Sequence, residues 1–466
     1  MGKSMFQKVM TATLICGATM FTACSNSEDN PSPEPSKKNR TEFIKHTRND
    51  LKTVAGNLNF STWNSVNYFN RYINQYLLLN DDFDKTINRT FGQEIQKSFA
   101  PQPADVAERT GKKYEATVNL ADFDYIFTPT QTGFDVTPNP EDGMIVEFTN
   151  PLQPEQSVRI GIKGSGEEFR LDTRLSNDSV SIYVKIPAHY DFTFSTKQNG
   201  VWTPSIVADA DLTIVIGSDK PEDLPADAAD FRKDAWNLKG TIKTSIPGDA
   251  TEMAFNIGQD PTKKLAGLTL DYTHNGVKTI GLTAEMSNLN GLTDLSQLTT
   301  SNSIMDIMQA IMLGNSLDNL QITLLDDLTT TLKVSDCQKV MALQSAMASA
   351  RRNYADQQTI EGYVSQLNKY ISGSMTCAHQ KNNVVPMRLA TVKIGVDWWA
   401  APALDFSDGY GYVPLTDMLD KESMEYALNI IDHAAEPMQQ SIIVARQLVQ
   451  AMQKAQRAYY KSLDEK

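Results

Sequence analysis

The chain has 466 residues, of which 43 are basic and 56 acidic, for a formal charge of −13. So acidic a chain is poorly suited to binding polyanionic nucleic acid, or to attachment at anionic lipid through basic patches. Its length suffices for two or three domain-sized units with a large core.

Lys3 and Lys8 precede an uncharged, mostly apolar run from Val9 to Phe21, and Thr22-Ala23-Cys24 follows. A basic start, an apolar core too short to span a bilayer, and small residues before a cleavage point describe an export signal over residues 1–23. Phe21-Thr22-Ala23-Cys24 resembles the lipobox of bacterial lipoproteins cut by the type II signal peptidase, with Phe where Leu is commoner. The resemblance implies that Cys24 is acylated with fatty chains such as palmitate, becomes the first mature residue and holds the protein on the outer membrane. Several acyl chains exceed the two signals that stable attachment requires. Loss of Lys3 and Lys8 with the signal brings the charge near −15.

Residues 24–40 read as a flexible tether, with Pro31, Pro33 and Pro35 and no apolar residue that could enter a core. Glu28-Asp29 resembles the acidic export tag of surface lipoproteins in the Bacteroidota, which favours the cell surface and leaves the periplasmic face as the alternative.

Residues 41–100 carry a helical pattern. Leu51, Val54 and Leu58, then Val66, Phe69, Ile73 and Leu77, then Phe83, Ile87, Phe91, Ile95 and Phe99 recur at helical spacing, predicting three amphipathic helices. Over 111–300 the period becomes two. Val180, Ile182, Val184 and Ile186 alternate with Ser181, Tyr183 and Lys185, and Ile280, Leu282, Ala284 and Met286 form a similar row. Turn signals separate the runs at Gly164-Ser165-Gly166, Asn177-Asp178, Asn199-Gly200 and Asn275-Gly276. Asp178-Ser179-Val180 also resembles the O-glycosylation acceptor of the same bacterial group, but the turn is the preferred reading. About ten strands in an antiparallel meander are predicted, apolar on one face.

Residues 301–466 form a mixed region. It begins with an apolar helix over 303–313, continues with a strand over Leu320–Val334 and a helix over Asp336–Ser372 broken near Asn353, and then turns β-rich over Val384–Val413. A helix from about Pro437 ends the chain. The fold class expected is α+β: N-terminal helices and a broad meander, curled and covered by C-terminal helices. In general plan this resembles the half-barrel carriers of lipid and lipoprotein traffic.

The familiar catalytic motifs are missing. There is no His-Glu-x-x-His, Cys-x-x-Cys or Gly-x-x-x-x-Gly-Lys, and Ser165 lacks the glycines at 163 and 167 that a nucleophile elbow needs. The histidines at 46, 189, 274, 379 and 433 are far apart and read as surface or packing residues, so no metal and no cofactor is expected. Asp405 and Asp408 before Gly409 could hold a weak calcium ion, though a turn suits them better. Cys16 leaves with the signal and Cys24 carries lipid, which leaves Cys337 and Cys377. A bridge between them would close a loop of about 40 residues, worth roughly 4 kcal/mol; two buried free thiols are the alternative.

Two features point to binding. Met305, Met308 and Met312 on the apolar helix could line a pocket for an apolar or amphipathic ligand, or plug the sheet as core. Trp398-Trp399, with Tyr410 and Tyr412, could stack on a glycan or anchor a protein partner. In a strand the two tryptophans face opposite sides, one of them toward core. The sequence thus points to a non-catalytic, membrane-anchored binding protein, with a surface glycan- or protein-interaction module as the alternative. A hydrolase built from two dispersed carboxylates has no positive support but needs no contiguous motif.

Overall fold

The computed structural model describes residues 35–57, 85–86, 89–90, 93, 114–119, 123–130, 133–141, 143–150, 153–172, 180–217, 227–229, 234–246, 249–260, 262–263, 265–287, 316–380, 383–394, 396–427 and 430. The export signal, Cys24, most of the second and third predicted helices, the Asn177-Asp178 turn, Met305, Met308, Met312 and the C-terminal helix lie outside the described residues. The chain divides into two compact units, Met1–Phe60 with Lys264–Gln439, and Ser61–Lys263 with Gln440–Lys466. Among the described residues both are mostly β, with few helices.

The second of these, the mixed-sheet unit, contains β1 (Tyr114–Asn119), β2 (Tyr125–Thr130), β3 (Gly133–Pro138), β4 (Met144–Asn150), β5 (Gln153–Asp172), β6 (Val180–Gln198), β7 (Val201–Val215), β8 (Ala228–Ala229), β9 (Ala235–Ile246) and β10 (Asp249–Asp260). The antiparallel run β4-β5-β6-β7-β9-β10 is its body. The predicted hairpin at Asn199-Gly200 is present: both residues have positive φ, at 51° and 81°, and Gln198 pairs with Val201. That is the turn whose twist matches the strands it joins.

Three expectations are corrected here. The sheet is not a pure meander, because β1 lies parallel to β6, β2 to β4 and β5 to β8. An alternating pattern says which face of a strand is apolar and leaves its neighbour open. Likewise Gly164-Ser165-Gly166 does not end a strand. It is a bulge inside the 20-residue β5, where the pairing with β6 shifts between Ser165 and Glu168 and Gly166 adopts φ 86°. A Cβ at Gly164 would collide with the ring of Pro187 on β6. Tyr183, expected on a polar face, is buried at 2% exposure beneath the guanidinium of Arg170. Tyr183–Lys185 of β6 run between β5 and β1, so neither edge of that stretch is free. The core gathers Phe127, Phe134, Val146, Val158, Ile160, Phe194 and Ile206 from six successive strands, and Phe127 is fully enclosed.

The other, the meander unit, contains α1 (Pro35–Asn57), β11 (Leu265–His274), β12 (Val277–Ser287), β13 (Ser316–Leu324), β14 (Leu328–Val334), α2 (Cys337–Arg352), α3 (Gln357–Leu367), β15 (Ile371–Cys377), β16 (Asn383–Ile394), β17 (Asp397–Asp405), β18 (Tyr412–Pro414) and α4 (Leu415–Met418). Every strand from β11 to β18 pairs antiparallel with the next. The up-and-down order expected upstream of residue 300 therefore continues well past it. Asn275-Gly276 forms the second predicted hairpin, with φ 49° and 78°. The helical break near Asn353 is also present. Asn353 caps α2, while Asp336 and Asp356 cap the N-termini of α2 and α3 by accepting from the Lys339 and Thr359 amides, both at 2.9 Å.

Ile360, Val364 and Leu367 make the buried stripe of α3, which lies against β16 and β17. Ala401 and Ala403 on β17 are wholly buried. At the end of α3 the Asn368 side chain donates to the Leu389 carbonyl and accepts from its amide, both at 2.8 Å, and so extends the ladder of β16 beyond β15. Leu320–Val334, read above as one strand, is two, with a turn at residues 325–327.

Candidate functional site

The first helix begins at Pro35, inside the stretch read as tether, and buries Phe43, Thr47, Asp50, Leu51 and Val54 along one face. Polar and aromatic contacts fasten it along its length. Arg40 pairs with Asp408 at 3.3 Å, Phe43 meets Phe406 edge-on with ring centroids 5.4 Å apart, and Arg48 donates to the Met418 carbonyl at 2.6 and 3.1 Å. His46 and Asp50 lie four residues apart, hence one turn apart on the same side of the helix.

Their counterpart is the turn between β13 and β14. Asp327 N–H donates to the Leu324 carbonyl at 2.9 Å, and Leu325 and Asp326 between them adopt φ 55° and 53°. Such a turn is normally marked by Asn and Gly, because a side chain at positive φ is strained. Leu325 carries no such mark, and its amide is tied to the Thr279 carbonyl at 3.1 Å.

This turn presents Asp327 to the end of β15. The Asp327 carbonyl accepts from Ala378 N–H at 3.0 Å, and Asp327 Oδ1 accepts from His379 N–H at 3.1 Å and from the Cys377 thiol at 3.5 Å. His379 Nδ1 lies 2.6 Å from Asp327 Oδ2. The His379 ring stacks on His46, with centroids 4.6 Å apart and planes 21° from parallel. Donor atoms of His46, Asp327 and His379 thus fall within 4.8 Å of one another.

Asp50 and Asp327 are 8% and 7% exposed, and Asp50 Oδ2 is buried without a hydrogen-bond donor. Burial, and then the facing charge of Asp327, push the Asp50 carboxyl well above the ordinary range, while His379 pulls it partly back. Burial also acts to raise Asp327, but the His379 side chain and amide and the Cys377 thiol outweigh it and hold that carboxyl low. In return Asp327 raises the imidazolium pKa of His379. The arrangement is a carboxyl–carboxylate pair with two imidazoles beside it, and the four groups come from three elements remote in the chain. The spacings His46-x-x-x-Asp50 and Cys377-x-His379 are the only traces of it in the sequence.

The bridge considered between Cys337 and Cys377 is not formed, and both residues are buried as thiols. Cys377 pairs with Leu328 at one end of the β14–β15 ladder, whereas Cys337 follows Val334 at the other end. At ~3.3 Å per residue those ends are roughly 20 Å apart, far beyond the reach of a disulfide.

The two tryptophans do face opposite sides of β17. Trp398 pairs with Lys393 and Trp399 with Val392, and both rings are half-buried. Lys393 Nζ lies 5.6 Å from the Trp398 ring centre, and the Arg351 guanidinium, from the last turn of α2, lies 2.9 Å from that of Trp399. Arg388 covers Tyr412 at 3.8 Å, and Arg40 covers Tyr410 at 4.8 Å. Tyr410 itself is 58% exposed. Asp405 and Asp408 accept from the amides of Ser407 and Tyr410 at 2.8 and 3.2 Å, which is the turn chemistry preferred above.

A groove of about 460 Å³ runs between α1 and residues 420–427. Lys45, Arg48 and Lys52 line one side and Asp420, Glu422 and Tyr426 the other. It is charged, unlike the apolar enclosure expected for a lipid-like ligand. Comparison with protein-family models, curated proteins and solved structures finds no match to this chain.

Proposed function

We propose that this chain is an exported lipoprotein, held on the outer membrane through acylated Cys24, which acts by binding and recognises neutral glycan through the aromatic residues of β17 and the β17–β18 connection. The observation that carries the reading is the pairing of part-exposed rings with basic side chains: Trp398 with Lys393, and Tyr410 with Arg40. A ring held by a cation on one side offers its other face to the C–H surface of a sugar, and the ammonium or guanidinium can donate to hydroxyls. A neutral ligand is favoured because the mature chain, near −15, repels polyanions. The pocket reading rests on Met305, Met308 and Met312, outside the described residues, so it does not carry the proposal. The Asp50–Asp327 pair does not suit a glycosidase either, since the two acids are buried against each other instead of flanking an open cleft.

The test is a glycan-array screen of the chain followed by calorimetry on any hit, with Trp398→Ala alongside. The variant should bind about 10-fold or more weakly, consistent with loss of one aromatic anchor. Equal binding by wild type and variant, or no glycan retained by either, overturns the reading. A small molecule released on denaturation in native mass spectrometry would instead return the apolar-pocket reading to the front.

A further inference from the structure

We propose that His46, Asp327 and His379 bind a transition-metal dication of the zinc class, with Asp50 as the fourth side chain. The inference is independent of the glycan reading. Among the described residues, no other trio of His, Cys, Asp and Glu side chains gathers so closely.

Three observations carry it. First, the donor atoms already converge: those of the trio lie within 4.8 Å of one another, and a tetrahedral zinc with bonds of about 2.0–2.1 Å holds its ligand atoms roughly 3.4 Å apart. Closing that difference takes side-chain movements below ~1 Å, within the range of small χ adjustments. Second, the polar atoms crowd one point and one of them is left over. His379 Nδ1 is paired with Asp327 Oδ2 at 2.6 Å. Asp50 Oδ2 is buried and has no hydrogen-bond donor, on a residue only 8% exposed. Buried polar atoms in native proteins almost always have partners, and a carboxylate aimed at another carboxylate calls for a cation or a shared proton. Third, the donor set is selective. Two imidazoles with two carboxylates suit zinc and its neighbours in the first transition row, whereas calcium and magnesium take oxygen ligands.

A bound dication balances the charge of both carboxylates and releases the proton they would otherwise share. It also joins α1 to the β13–β14 turn and to the end of β15. Its binding free energy therefore adds to the docking of the helix that follows the anchor segment.

The experiment uses the full chain, stripped with EDTA, desalted, and titrated first with Co²⁺ as the spectroscopic probe and then with Zn²⁺. The expected result is a single equivalent of Co²⁺ with the visible bands of a low-coordinate nitrogen–oxygen site. Zn²⁺ should displace it and raise the temperature of unfolding. His46→Ala and His379→Ala should each weaken binding by at least ~10-fold, while His189→Ala, in the other unit, should leave it unchanged. Should His379→Ala misfold by circular dichroism, His46→Gln carries the same comparison, since it keeps a helix-compatible polar side chain on α1. A folded wild type that takes up no Co²⁺, or uptake equally tight after either cluster histidine is replaced, overturns the proposal.

Discussion

In the mixed-sheet unit, strands of 19 and 20 residues run side by side, and their core is assembled from six successive strands around Phe127. In the meander unit, eight shorter strands follow one another in order, and helices supply part of the buried surface. One unit departs from chain order four times, through its three parallel pairs and the antiparallel pairing of β7 with β9; the other never does among its described strands. Yet the unit with the simpler topology holds the less predictable chemistry. Its polar cluster forms where a helix, a hairpin turn and a strand end meet, and each contributes one or two side chains. Regular strand order and a legible site are therefore separate properties.

The sharpest way to break this comparison is at the cores. Phe127→Ala should destabilise the mixed-sheet unit by ~3–5 kcal/mol, as for a fully enclosed aromatic. Hydrogen exchange should then show lost protection in β2–β7 while β13–β17 keep theirs. Simultaneous loss in both would show that the two units unfold as one.

The two kinds of turn should respond with opposite sign. Gly200 sits at φ 81° with open space around a Cβ, so Gly200→Ala is opposed by backbone strain alone, about 1 kcal/mol. Asp326 sits at φ 53° with its side chain 66% exposed, so Asp326→Gly should relieve strain and stabilise by about 0.5 kcal/mol. Denaturant midpoints measured on the two variants would check the signs, and destabilisation by Asp326→Gly would mean its side chain holds the turn.

The smallest effect concerns pH. His189 on β6 lies between Asp211, 2.7 Å from Nδ1, and Asp191, 3.3 Å from Nε2, and the hydrogen bond with Asp211 leads in raising its pKa above the usual 6.5. A raised histidine binds its proton more tightly in the folded state. The stabilisation is therefore complete below the unfolded pKa and disappears as pH rises through the higher folded one. Because the side chain is a third exposed, the effect on stability is small. An NMR titration of the imidazole should show the raised value in the wild type and a lower one in Asp211→Asn.

The hairpins at Asn199-Gly200 and Asn275-Gly276, the helix break at Asn353 and the opposed faces of Trp398 and Trp399 were determined by residues close together in the chain. Local backbone preference and strand alternation act over a few residues, so they can be read directly. Tertiary structure alone decided the rest. It set the parallel neighbours of β6, β2 and β5, the separation of Cys337 from Cys377, and the meeting of His46 and Asp50 with Asp327 and His379. The turn that carries Asp327 has Leu325 where a turn residue would announce itself, so by sequence β13 and β14 read as one strand and nothing marks the acid between them. Period and propensity specify which face of an element is buried. What it is buried against depends on contacts between distant segments, and no window of sequence contains both partners.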